Sequence, residues 1–196
     1  MSHSLKDAVV LKCNDAHRSW QRLAASDGAQ LVEMAVTLPV LVVLFVFIFD
    51  LGQAVNLKQK LTGAVREGAR FAANQSTVDL VQSPPPSILA VRDVIDAYLV
   101  TSNINDCGLV GQAPVRTPST WIWTFTTASC GGGPLVVTIN RGFTFTPPSG
   151  VTVEATQVQI TYPYKWQFGN MISLVASGAS YTTTNVGTSA VMQNMN

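Results

Sequence analysis

From Met34 to Phe49 the chain reads MAVTLPVLVVLFVFIF, without one charged residue. As a helix this run is roughly 24 Å long, somewhat short of a bilayer's hydrocarbon core. Its apolar character continues through Leu51, Gly52, Ala54, Val55 and Leu57, interrupted by Asp50. A span from about Val32 to Val55 is long enough to cross a membrane, with Glu33 and Asp50 near its ends. Pro39 lies inside the run, where it removes a backbone donor and predicts a helix kink. Membrane and filament helices tolerate such a kink when neighbouring groups satisfy the freed carbonyls.

Two fates are open to such a segment. In the first it is a cleaved secretory signal, with Lys6, Lys12, Arg18 and Arg22 as its basic region and Gly52-Gln53-Ala54 as a small-x-small cleavage site. In the second it is a retained anchor. Three features favour the anchor. The run is long for a signal core, Glu33 stands at its entrance, and a helical pattern continues past the would-be cut. That pattern is Ala54, Leu57, Leu61, Ala64, Gly68 and Phe71, an alternating spacing of three and four. Lys58, Lys60, Arg66, Glu67 and Arg70 fall mostly off it. Small residues are frequent here, which permits close helix approach. The pattern predicts one helix from near residue 29 to near Asn74, roughly 70 Å long. Its first half is apolar all round. Its second half is amphipathic, and packs on its own globular domain, on neighbouring subunits, or on both.

Charged residues make up 12% of the 196-residue chain, about half the usual quarter, and the net charge is +1. No broad basic surface argues for nucleic acid. The two histidines, His3 and His17, precede Ala29. The serines and threonines after that point therefore lack a histidine base. The acids after Gly28 make no close pair in a strand or loop that suggests acid–base work. No phosphate-binding glycine loop with lysine is present. These features predict no catalytic residues, no cofactor and no metal site. Basic residues flank the apolar run on both sides, so charge asymmetry does not set its orientation.

After a break over Thr77 to Ser87, marked by Pro84-Pro85-Pro86, the residues Ile88, Val91, Ile95, Tyr98 and Leu99 predict a short amphipathic helix. Ser83 or Ser87 is its expected cap, and Arg92 with Asp96 an i,i+4 pair. From Thr120 the period becomes two. Strands are predicted around Trp121–Phe125, Leu135–Ile139, Phe143–Phe145 and Val158–Tyr162, with a weaker one between Ser180 and Met192. Turns are expected at Gly131-Gly132-Gly133-Pro134, Arg141-Gly142 and Pro147-Pro148-Ser149-Gly150. Met171 to Val175 is read as a helical turn. Cys107 and Cys130 are the only cysteines after the anchor. They form one disulfide if the domain is exported, or remain two buried thiols. Trp121, Trp123 and Trp166 are core residues, or line a sugar or peptide site.

Ahead of the apolar run stands Ser26-Asp27-Gly28-Ala29-Gln30-Leu31-Val32-Glu33. A carboxylate beside a membrane segment is expensive unless paired. A cut after Gly28 would give Ala29 a free α-amine, one helical turn from Glu33. Glycine followed by a hydrophobic helix with Glu as its fifth residue resembles the processing site of type IV pilin-like proteins. The wording G-A-Q-L-V-E-M-A-V-T-L-P-V-L is similar to that of the TadE family of tight-adherence pseudopilins. Arg66-Glu67-Gly68-Ala69-Arg70 resembles the end of that family's helix. The likeness covers residues 26 to 72, and Met34 departs from the aromatic that often follows the key Glu.

The resemblance implies a pilin-like α+β fold: a long helix, a short helix and a small antiparallel sheet. It implies a leader over residues 1–28, a helix over 29–76 with a transmembrane first half, and an exported domain over 77–196. It further implies processing at Gly28 and Ala29, assembly through Glu33, and a structural rather than enzymatic role as a minor pilin. Expected partners are a prepilin peptidase, other pilin or pseudopilin subunits, an inner-membrane platform, a secretion ATPase and membrane lipid. The expected place is the inner membrane, single-pass, with the C-terminal domain in the periplasm or on an extracellular pilus. The rival is a signal-anchored binding module that uses the aromatic strand face.

Overall fold

The computed structural model describes residues 3–148, 150–168 and 183–195, with side chains from residue 28 onward. Helix α1 runs His3–Ala73. It ends within a residue of the expected Asn74. Its helical backbone, however, continues upstream of residue 29 across the segment expected as a leader. No glycine or proline stands between His3 and Asp27, so nothing there stops a helix. The chain divides into two compact units, Met1–Ile48 and Phe49–Asn196. In the first, the large apolar side chains of the described helix from Leu31 to Ile48 are exposed, except the half-buried Val46.

The second unit is an α+β domain, as predicted. After α1 come a 3-10 turn (Val78–Val81), helix α2 (Pro86–Thr101), a second 3-10 turn (Leu109–Gly111) and five strands. These are β1 (Val115–Arg116), β2 (Ile122–Thr126), β3 (Val136–Phe145), β4 (Val153–Lys165) and β5 (Thr183–Gln193). They form one antiparallel meander in the order β1-β2-β3-β4-β5. Met171 to Val175, expected as a helical turn, lies outside the described residues.

The amphipathic half of α1 completes this unit's core. Leu61, Ala64, Val65, Ala69 and Ala72 are buried, and Leu57 and Phe71 pack at the margin. Against them lie Ile88, Val91, Ile95 and Leu99 of α2, and Trp123, Phe125, Val137, Ile139, Val158 and Ile160 of the sheet. Close approach of the helices needs glycine on α1. A Cβ added at Gly68 would stand 2.7 Å from Ile95 Cγ1, and one at Gly63 would collide with the Tyr98 ring.

Three local expectations are corrected. First, neither Ser83 nor Ser87 caps α2. Pro85 is the cap residue, and the carboxylate of Asp79 accepts from Ser87 N–H at 2.6 Å and from its hydroxyl at 2.9 Å. An anion supplied from the preceding turn thus satisfies an orphan donor and complements the helix dipole. Second, Arg92 does not pair with Asp96. Its Nε and Nη2 donate to Asp93 Oδ1 at 2.9 and 2.8 Å, its Nη1 donates to the Gln112 carbonyl at 3.0 Å, and its guanidinium lies over the Phe125 ring. Burial turns the side chain toward the sheet, where the ring and the carbonyl are. Third, Arg141-Gly142 is a bulge inside β3 and not a turn between strands. Arg141 N–H still donates to the Trp121 carbonyl at 2.8 Å, its buried guanidinium donates to the Gln75 carbonyl at 2.7 Å, and Gly142 leaves room for the Trp121 ring, 2.9 Å from where a Cβ would stand. Burial lowers the Arg141 pKa, against a smaller opposing pull from Asp79.

Candidate functional site

Gly28, Ala29, Glu33 and Pro39 all lie exposed on α1. A Cβ at Gly28 would meet nothing within 4 Å. The fold therefore has no steric use for glycine there, although glycine inside a helix costs up to about 1 kcal/mol relative to alanine. Glu33 lies one turn beyond Ala29. Its carboxylate has no hydrogen bond or ion pair among the described residues. Its carbonyl accepts the Thr37 hydroxyl at 2.9 Å, two residues before Pro39. The helix passes through Pro39 without ending. Among the described residues one helix, Gly28–Ala73, is long and apolar enough to cross a membrane.

Asp50, at the far end of the apolar run, has a different environment. It is 1% exposed. The Tyr164 hydroxyl donates to its Oδ1 at 2.9 Å. The Gln167 and Phe168 backbone N–H groups donate to Oδ1 and Oδ2, each at 3.3 Å. The carboxylate thus ties the end of β4 to α1. Burial first, then the hydrogen bond to Asp50 and its charge, push the Tyr164 phenol up to about 12. Pro163, just before it, sits where β4 has run past the start of β3, so its missing N–H costs no ladder bond on that side.

Cys107 and Cys130 are joined, with Cα atoms 5.4 Å apart across a separation of 23 residues. The bond pins the loop after α2 to the β2–β3 turn. Cys107 and Gly108 both have positive φ. Asn105 and Asp106 side chains hold the two N–H groups, at 3.0 and 3.1 Å.

The three tryptophans do not converge. Trp123 is buried core. Trp121 is 42% exposed at the sheet margin, and Arg116 stacks 4.7 Å from its ring and 5.5 Å from that of Trp123. Trp166 packs edge-on against Tyr164 with centroids 5.2 Å apart. In the sheet register Trp123 pairs with Ile139, and Ile139 with Val158. Val158 precedes Trp166 by eight positions, roughly 26 Å along a strand. An aromatic face shared by the three is therefore absent.

One close pair escaped the sequence. Asp96 on α2 and Asp106 in the following loop come close enough to influence one another, and Asp96 Oδ1 is buried without a hydrogen-bond partner among the described residues. Burial first, then the charges of Asp106 and Asp93, raise the Asp96 pKa, with Arg92 opposing. Ten residues separate the two acids, and no periodic signal predicts their meeting. No group of three His, Cys, Asp or Glu suited to a metal occurs among the described residues.

The site and fold define a class: among the described residues, one apolar helix of membrane-spanning length whose amphipathic continuation belongs to a small antiparallel α+β domain. Residues 28–70 match the family model described as TadE-like protein. That stretch, from Gly28 to Arg70, is thus TadE-like, as its residues suggested. No curated protein and no solved structure matches the chain.

Proposed function

We propose that this chain is a structural minor pilin, or pseudopilin, of a Tad-type pilus, held in the inner membrane by α1 with its α+β domain on the periplasmic side. Residues 1–28 form a leader that a prepilin peptidase removes between Gly28 and Ala29. Glu33 then pairs with the new amine of Ala29, its own or that of a neighbouring subunit. An unpaired charge in that low-dielectric setting costs several kcal/mol, so assembly and pairing are coupled. Other pilin subunits, a membrane platform and a secretion ATPase are the partners this role requires. One observation carries the reading. The TadE-like match begins at Gly28, a glycine for which the fold has no steric use.

The test is the mature N-terminus. Intact mass and N-terminal sequencing of the exported protein should find Ala29. Gly28→Leu should leave the full-length precursor in the membrane. Glu33→Ala should still be cut, yet fail to co-purify with partner subunits. A mature N-terminus at Val55, after Ala54, would mean that signal peptidase removes the helix, and the anchored role would be lost.

A further inference from the structure

The segment Tyr164 to Phe168 is held at the level where the apolar run of α1 ends. Asp50 follows Phe49 directly, and it fixes this segment through the Tyr164 hydroxyl and the Gln167 and Phe168 N–H groups. Phe49 and Leu51 are exposed beside it. Trp166 is braced by the Tyr164 ring and by an Nε1 bond to Thr184 Oγ1 at 2.8 Å. Tyrosine and tryptophan at such a level form the aromatic belt of a membrane–water boundary.

Next to this belt opens a cleft of about 520 Å³. Gln53, Asn56 and Lys60 of α1 line it, together with Asn105, Lys165 and Gln167. Gln53 and Lys60 stand roughly 6 to 16 Å beyond Phe49 along the helix. The headgroup layer on one side of a bilayer is about 5–8 Å thick, so with the hydrocarbon boundary at Phe49 the near end of the cleft would fall within it. The cleft offers amide donors and two ammonium groups. Lys60 spends one hydrogen on the Ser102 carbonyl at 2.8 Å. Lys165 is exposed, with no ion pair among the described residues. Of the nearby acids, Asp50 is buried and already accepts three donors, and Asp106 stands near Tyr162 on the cleft wall. Lys60 and Lys165 thus bring two positive charges to the cleft.

We infer that this face of the domain docks on the bilayer that holds the anchor, and that the cleft takes the phosphate of an anionic glycerolipid headgroup, with Lys165 as its principal cation. The inference rests on the anchored reading given above. In the membrane-held subunit the domain then lies against the bilayer instead of swinging free on α1, and leaving the membrane requires release of the headgroup.

The experiment uses the full chain in nanodiscs of phosphatidylglycerol, of phosphatidylcholine, or of both. Native mass spectrometry should find phosphatidylglycerol retained severalfold over phosphatidylcholine. Lys165→Glu should abolish that preference, and millimolar inorganic phosphate should not displace the lipid. Independently, lipids brominated near the glycerol should quench the part of the tryptophan emission that Trp166→Phe removes. This second readout needs no charge variant. Equal retention of both lipids, or capture of inorganic phosphate in neutral nanodiscs, would overturn the lipid assignment. A Trp166 that is unquenched in bilayers but shielded once partner subunits are added would assign the face to a protein neighbour and sink the docking. The two readings fail differently: a chain that alkaline carbonate strips from the nanodisc refutes the anchor, whereas a retained chain with unquenched Trp166 refutes only the docking.

Discussion

Tyr164→Phe deletes one oxygen and leaves the ring, so it isolates the bond that ties β4 to α1. The hydroxyl is on a residue only 8% exposed and donates to the buried carboxylate of Asp50 at 2.9 Å. A hydrogen bond to a charged group contributes about 1.5–3 kcal/mol, and Asp50 keeps its two backbone donors, so the expected loss is ~2 kcal/mol. For a domain of this size that lowers Tm by roughly 4–8 °C. Thermal unfolding of the full chain in micelles, followed by near-ultraviolet circular dichroism, measures it. The pH dependence adds a second check. The folded phenol pKa is raised from 10.0 to about 12. Its contribution is complete below pH 10 and is lost as pH rises toward 12. The gap between wild type and variant should be constant around neutrality and close in alkali. An unchanged Tm at pH 7, or a gap that stays full above pH 12, would refute the buried tie.

Three further outcomes are expected. Cys107→Ser should cost ~3.4 kcal/mol by the loop-entropy relation for 23 residues, and without reductant neither cysteine of the wild type should take a thiol label. Gly68→Val should destabilise by ~1–3 kcal/mol through overpacking against Ile95, with part of the loss recovered by adding Ile95→Ala; an additive double mutant would show that the two do not touch. Asp96→Asn should raise stability at neutral pH, because a raised carboxyl pKa means that the ionised form weakens the fold. The gain should shrink in acid as the wild-type carboxyl takes up its proton, and denaturation at the two pH values compares them.

The sequence displays periodic features and hides singular ones. The three-four spacing from Leu57 to Phe71 and the alternation of Val137, Ile139, Val158 and Ile160 are repeated signals, and both led to the buried faces that form. The errors sit where one side chain settles the local structure. Arg141-Gly142 has turn composition, yet the buried arginine and the Trp121 ring over Gly142 make it a bulge. Arg92 has an acid at i+4, Asp96, in register for pairing, but Asp93 and the Gln112 carbonyl are nearer to where burial sends it. β1 was not foreseen. Two residues between prolines carry no period, and the strand exists through its pairing with Trp123 and Thr124. The compact unit begins at Phe49 and not at the proline break, because the seam of α1 is part of the core that the sheet needs.

Two acids bracket the apolar run, and by sequence they are equivalent markers of its ends. The structure separates them. Asp50 is accounted for by its own domain: it is buried and accepts a hydroxyl and two backbone N–H groups. Glu33 is exposed on an apolar helix and meets no donor among the described residues. The glycines divide in the same way. Gly63 and Gly68 are required by Tyr98 and Ile95, whereas Gly28 and Gly52 face open space. Folding therefore explains Asp50 at the far end of the run and leaves Glu33 at the near end unexplained. A glycine without a steric purpose and a carboxylate without a partner, one turn apart from a common neighbour at Ala29, both call for something outside the folded chain. In the proposed pilus-assembly role a protease and a second subunit would supply those needs in turn, whereas a solitary anchored module offers Glu33 no partner.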